Sequence, residues 1–326
     1  MNVNINDITL GSLFDGIGGF PLSAQQYDIK TLWLSEIDKN CISLTKSKFP
    51  KSIQLGDITK IHGDQIEPVD IITFGSPCND LSLAGTKNGL YGKQSKLFFD
   101  AIRIISEMRK STCNEYPKYA IWENVYNALS SNKGCDFQTV IEKFTETQIS
   151  IPKSGRWANA GLVRDYEFSF AWRTFNAKYW GVPQSRKRIF CVADFRGQSA
   201  GQILFEQQSK TRNFEKSKII EQNIKRTNEN SLRTTGEGKY ITSTLFASYG
   251  TKWNGNNGAY TGSHFILEKN NRLRRLTPLE CERLMGFPDN WTYGFKDTIR
   301  YKMLGNSVVI PCVNFIMEQI VDKIKL

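Results

Sequence analysis

Histidine is nearly absent from this chain: His62 and His264 are the only two in 326 residues. A His-rich metal centre or a mechanism built on a histidine triad has little to work with. The seven cysteines are odd in number and no Cys-x-x-Cys pair occurs, which argues against a disulfide framework and against a zinc site. Any nucleophile is then more naturally a cysteine. No apolar run approaches the ~20 residues that a membrane-spanning helix requires. The opening MNVNINDITLGSLF has neither the basic start nor the apolar stretch of a secretory signal. These absences predict a cytoplasmic protein with no membrane contact and no bound metal.

What is present suits a globular protein. The chain is 40% hydrophobic and 23% charged, ordinary values, and is long enough for a sizeable core and two domains. Forty-three Lys and Arg against thirty-two Asp and Glu leave a formal net charge of +11. That excess favours a polyanionic partner, nucleic acid first.

Short apolar runs alternate with amphipathic stretches through the first half. Ile8–Phe14, Thr31–Ser35, Ser52–Leu55, Val69–Phe74, Tyr119–Trp122 and Arg188–Ala193 read as strands, Leu97–Met108 and Phe137–Phe144 as helices. The alternation predicts an α/β fold with an open, mostly parallel sheet. From Phe195 to Asn271 the composition shifts to Gly, Asn, Ser and Thr, with eleven Lys or Arg against six Glu and interleaved aromatics. This reads as the core of a smaller, irregular second domain. The expected division is a catalytic domain over 1–194, a second domain and hinge over 195–300, and a return to the first domain over 301–326. Val308–Ile324 reads as an amphipathic helix.

Ligands of such sheets bind beyond the carboxyl ends of the strands. After the first strand comes Phe14-Asp15-Gly16-Ile17-Gly18-Gly19, where glycines permit a tight turn and close approach to a ligand. Pro21 stands where a dinucleotide fingerprint wants a third glycine, so a nicotinamide fits poorly. Glu36 ends the second strand about twenty positions on, a common place for a carboxylate on ribose hydroxyls. Asp57 and Ile58 follow the third strand, where an acid can accept from an adenine amino group. Together they suggest an adenosine-containing ligand.

The fourth strand runs into Gly75-Ser76-Pro77-Cys78, which places a thiol in the expected crevice. The other six cysteines, Cys41, Cys113, Cys135, Cys191, Cys281 and Cys312, read as small buried apolar residues. Glu123, after Trp122, would be desolvated and inclined to stay protonated. In Gln184-Ser185-Arg186-Lys187-Arg188 two guanidinium groups share one face by period two and could bind a carbonyl oxygen, a phosphate or the acid.

Taken in this order, these motifs resemble the bacterial and phage DNA cytosine-C5 methyltransferase family over nearly the whole chain. Phe14–Gly19 is similar to the motif that cradles S-adenosylmethionine (S-adenosyl-L-methionine), Pro77-Cys78 to the nucleophile motif, Glu123-Asn124-Val125 to the Glu-Asn-Val motif, and Gln184, Arg186 and Arg188 to Gln-x-Arg-x-Arg. Arg275–Pro278 with Glu280, Arg283 and Gly286–Pro288 resembles a late motif, and Gly305-Asn306-Ser307-Val308 the final one. Asn79 departs from the family's usual Gln after Pro-Cys.

The resemblance implies a Rossmann-like methyltransferase fold with a target-recognition domain. It implies Cys78, Glu123, Arg186 and Arg188 as catalytic residues. The cofactor would be held by Phe14, Asp15, Gly16, Gly18, Glu36, Ile37, Asp57, Ile58, Pro77, Asn306, Ser307 and Val308. Thr244-Leu245 resembles a pair in the recognition region, and Ser82, Lys87, Thr244, Leu245, Tyr249 and Lys252 are the expected DNA contacts. Cys78 would add to C6 of a flipped cytosine and C5 would take the methyl group, with residues 79–96 as a closing loop. Double-stranded DNA is the implied partner, a restriction endonuclease a conceivable companion, and a monomer the usual state. An RNA cytosine methyltransferase and a catalytically silent DNA-binding relative stay open as alternatives, with a nicotinamide oxidoreductase more distant.

Overall fold

The structure is a computed structural model that describes residues 8–77, 97–205, 231–234, 241–250, 265–268 and 273–325. Eight strands form one sheet: β1 (Thr9–Leu13), β2 (Lys30–Ser35), β3 (Ile53–Gln54), β4 (Ile71–Phe74), β5 (Tyr119–Val125), β6 (Ala160–Arg164), β7 (Ser169–Asn176) and β8 (Lys187–Asp194). Their order is β3-β2-β1-β4-β5-β8-β7-β6. The first five in that order are parallel, and β8, β7 and β6 are each antiparallel to the strand before them.

Central parallel strands are covered on both faces and therefore lose polar alternation. All four residues of β4, Ile-Ile-Thr-Phe, are buried. Successive side chains still go to opposite faces. Ile71 and Ile121 join one apolar cluster, with α1 (Gly19–Gln25), α2 (Lys39–Lys48), α5 (Ala200–Phe205) and α8 (Ile310–Lys325). Ile72 and Trp122 join the other, with α3 (Leu97–Ser111) and α4 (Cys135–Thr145). The first cluster also takes in Leu276, Tyr301 and the buried faces of α6 (Pro278–Met285) and α7 (Asp297–Asn306), so the late segment packs on the sheet itself. α6 has strong local signals: Thr277 and Glu280 form a capping box, Pro278 stands at the helix start, and Gly286 ends it at φ 79°. A second, three-stranded antiparallel sheet is built from β9 (Ser231–Thr234), β10 (Phe265–Glu268) and β11 (Leu273–Arg275).

Several expectations need adjustment. β5 runs past Trp122 to Val125, so Glu123 lies within the strand, opposite Phe190 of β8. β6 and β7 were not among the expected strands. Val308 precedes the last helix, which starts at Ile310. Cys41, Cys191, Cys281 and Cys312 are buried, but Cys113 is exposed and Cys135 only half-buried. Cys113 sits past the end of α3 at φ 52°, and Cys135 opens α4, so neither points its side chain into a packed layer. Among the described residues no single helix is long and apolar enough to cross a membrane.

Candidate active site

Strand order reverses between β1 and β4, and in such sheets a crevice opens beyond the carboxyl ends at that point. The residues singled out from sequence that fall in this half of the sheet follow the ends of β1, β2, β3, β4 and β5, or lie in the last of these strands.

The turn after β1 is tight. Phe14, Gly16 and Gly18 have φ of 53°, 59° and 80°. A Cβ on Gly18 would lie 2.4 Å from the Phe49 ring, and one on Gly19 2.6 Å from Val308 Cγ2. Only glycine lets the turn approach Phe49 and the Ser307-Val308 segment so closely. A Cβ on Gly16 would meet nothing within 4 Å, so open space lies beside it. Glu36 crosses from β2 to accept from Gly16 N at 2.9 Å through Oε2, while Oε1 accepts from Ile37 N at 2.7 Å and Asp38 N at 2.9 Å. Asp57 is half-buried; Oδ1 accepts from Thr59 N at 3.0 Å and Oγ1 at 2.9 Å, and these bonds hold its carboxyl below the usual aspartate range. Ile37 is 69% exposed and Ile58 4%. Ser307 and Val308 are buried and Asn306 exposed.

Asp15 is the unusual member. It is 6% exposed and neither carboxylate oxygen makes a hydrogen bond. Burial, opposed by the Ser12 hydroxyl and reinforced by Glu36, pushes its pKa up to about 7. A buried carboxyl without a partner, an acid fixed to the glycine turn and open space beside Gly16 fit a ligand that brings positive charge and ribose hydroxyls. S-adenosylmethionine has both, so the residues fit that cofactor.

The other half of the crevice holds the acid. Trp122 Nε1 donates to Ser76 Oγ at 3.0 Å, and Asn124 Nδ2 donates to Ser76 O at 3.2 Å. β5 thereby pins the Gly75-Ser76-Pro77 turn beside Glu123, whose Oε2 would lie 3.4 Å from a Cβ on Gly75. Sequence reading missed Ser76, whose role depends on a neighbouring strand. Glu123 is paired with Arg188, Nε to Oε1 at 3.3 Å, with side-chain exposures of 17% and 12% for Arg188 and Glu123. Burial raises the Glu123 pKa, against the opposing pull of Arg188 and then Arg186. The result is a largely desolvated carboxyl held next to a guanidinium.

Arg186 is held by backbone carbonyls. It is 3% exposed, and its terminal nitrogens donate to Leu245 O at 2.9 Å, Gly305 O at 3.1 Å and Ser307 O at 2.9 Å. Those bonds tie three distant segments together and give Arg186 a positioning role. Leu245 and Tyr249 are also bonded within the fold. They are 1% and 7% exposed, Leu245 N donates to Gln184 Oε1 at 3.2 Å, and Tyr249 Oη accepts from Leu276 N at 2.8 Å. They brace the fold. Thr244 is half-buried and donates to Ser185 O at 3.0 Å. Cys78, Asn79, Ser82, Lys87 and Lys252 lie outside the described residues, as does the expected loop over 79–96.

Comparison with known proteins agrees with this layout. The family model described as C-5 cytosine-specific DNA methylase matches residues 8–241 and 199–322. Among curated proteins, the type II methyltransferase M1.ScrFI of Lactococcus lactis subsp. cremoris is 34% identical, covering 95% of this chain and 77% of that protein. The type II methyltransferase M.HhaI of Haemophilus parahaemolyticus is 27% identical over 94% of this chain and 92% of its own length. In fold, the chain is similar to the Entamoeba histolytica methyltransferase EhMeth, with a TM-score of 0.65, 19% identity and coverage of 97% and 98% of the two chains. The S. pombe Dnmt2 methyltransferase gives 0.66 at 14% identity, covering 98% and 100%. With the family model matched along nearly the whole chain, the protein belongs to the C-5 cytosine-specific DNA methylases and is a DNA cytosine-5-methyltransferase.

Proposed function

We propose that the enzyme flips a cytosine out of duplex DNA and methylates C5 through a covalent adduct with Cys78, using S-adenosylmethionine. The base must leave the stack, because a thiolate cannot reach C6 inside the helix. The Cys78 thiolate adds to C6; the C5–C6 double bond supplies electrons that make C5 nucleophilic. Glu123, whose protonated form is favoured by its desolvated setting, donates to N3 and takes up the charge that addition pushes into the ring. Arg188 holds the Glu123 carboxyl in place and is the cation nearest the acid for the ring carbonyl. After transfer, C5 gives up its proton and the Cys78 sulfur leaves, restoring the double bond.

The cofactor, when bound, supplies an electrophilic methyl group on a sulfonium. Glu36 and Asp57 would take its ribose and adenine, Phe14, Ile37 and Ile58 its ring faces, and Asp15 its positive charge. Gly16, Gly18, Pro77, Asn306, Ser307 and Val308 would line the remaining walls. Residues 195–300 would carry target recognition and the hinge, and 301–326 the return to the catalytic domain, with Thr244, Ser82, Lys87 and Lys252 as DNA contacts. The relatives' designation as type II methyltransferases supports a place beside a restriction endonuclease, and we infer a monomer.

The single observation that supports this reading best is the desolvated Glu123–Arg188 pair beside the turn that ends at Pro77, one residue before Cys78. The test is bisulfite sequencing of DNA from cells expressing the protein. Protected cytosines in one fixed sequence context are expected. Uniform conversion there, with methyl groups entering RNA instead, would overturn the duplex-DNA reading.

A further inference from the structure

Tyr126 follows the end of β5, three positions after Glu123. Two cations lie over its ring: the Arg156 guanidinium 4.9 Å and the Lys187 ammonium 5.6 Å from the ring centre. Arg156 also donates to the tyrosine hydroxyl, which donates to Asn159 Oδ1 at 2.9 Å. Arg156, Lys187 and Asn159 are exposed. Among the described residues neither cation is paired with a carboxylate, although the exposed lysine Lys302 is, at 2.9 Å from Asp38.

The cluster is rigidly placed. Trp157, next to Arg156, is buried and bonded through N to Leu129 O at 3.0 Å and through Nε1 to Gly134 O at 2.8 Å. Lys187 starts β8 between Arg186 and Arg188, and Arg188 pairs in register with Val125 of β5. The two cations therefore sit at the rim of the crevice that contains Glu123. Like charges brought together on one ring repel each other, no acid among the described residues is paired with them, and an arriving anion would relieve the repulsion.

We propose that Tyr126, Arg156 and Lys187 form a phosphate clamp for the duplex backbone next to the flipped cytosine, an inference that rests on the DNA reading above. Backbone contacts fix register and orientation without reading sequence. A clamp at the crevice rim would hold the backbone of the extruded nucleotide while its base is turned inward.

The test is the salt dependence of duplex binding, read by fluorescence anisotropy on a labelled oligonucleotide between 50 and 200 mM KCl. Each phosphate contact contributes roughly 0.9 to the slope of log affinity against log salt. Arg156→Ala with Lys187→Ala should flatten the slope by about two contacts, so that the wild type loses about tenfold more affinity across that range than the variant does. The charge-keeping pair Arg156→Lys with Lys187→Arg should retain the wild-type slope. If wild type binds and methylates duplex DNA and the alanine pair has an unchanged slope, the clamp is overturned and the enzymatic reading stands. If wild type neither binds nor methylates duplex DNA, both fall.

Discussion

A carboxyl group that must donate a hydrogen bond near neutrality has to be kept from ionising, and removal from water is the simplest means. Glu123 is treated in this way, and Arg188 limits how far the shift goes. Glu123→Gln should lower methyl transfer by roughly 10²–10⁴-fold, the usual contribution of a positioned acid or base, while cofactor affinity changes little. In the proposed mechanism the protonated form is the active one, so wild-type transfer at saturating DNA should fall as pH rises through the raised pKa. An unaltered alkaline limb in Glu123→Gln would count against this assignment. Asp15 tests the other half of the crevice. Its pKa of about 7 against an ordinary 3.8 means that the folded protein holds a proton which the unfolded chain has already lost. Stability attributable to this group is therefore greatest below about pH 4 and declines as pH rises towards 7, by on the order of 4 kcal/mol in all. Asp15→Asn should remove that decline, so urea unfolding at pH 8 should show a more stable variant, with little difference at pH 4. Equal stabilities at pH 8 would contradict the burial argument.

At the scale of elements, Arg186 is the clearest connection. It joins the turn before β8 to residue 245, to the last turn of α7 and to the residue that follows it. Hydrogen bonds from a charged group are worth about 1.5–3 kcal/mol each. Arg186→Ala should cost several kcal/mol, on the order of 3–5, in chemical denaturation, with Arg186→Lys recovering only part, since an ammonium lacks the planar fork. Gly18→Ala combines a φ of 80° with a Cβ 2.4 Å from Phe49. It should destabilise by roughly 1–3 kcal/mol and weaken cofactor binding measured by calorimetry.

The parallel strands were legible because burial on both faces writes them as apolar runs such as Ile-Ile-Thr-Phe. The site residues at their ends were legible through the glycine turn, the two acids and the Glu-Asn-Val run. β6 and β7 were not. β6 alternates between exposed and half-buried positions at the sheet edge, and no chemistry-bearing motif follows it. The roles of Arg186, Leu245 and Tyr249 escaped for a different reason. Their partners lie tens of residues away, and a cationic or aromatic residue near a recognition motif has the same composition whether it faces DNA or a protein carbonyl.

Over the whole molecule, the formal charge of +11 and the family membership point the same way, towards a polyanionic duplex. The late helices α6, α7 and α8 pack into the sheet's own cluster, so residues that come last in sequence help to build the wall of the crevice formed by the first. In the proposed reaction Cys78 attacks a cytosine while Glu123 attends its ring. A duplex carrying 5-fluorocytosine at the target tests this directly, because fluorine cannot leave C5 as a proton does and the adduct cannot resolve. With S-adenosylmethionine present, a denaturation-stable protein–DNA conjugate is expected, its cross-linked peptide containing Cys78, and none is expected with Cys78→Ala. A conjugate through another cysteine, or methylated DNA with no conjugate, would contradict it.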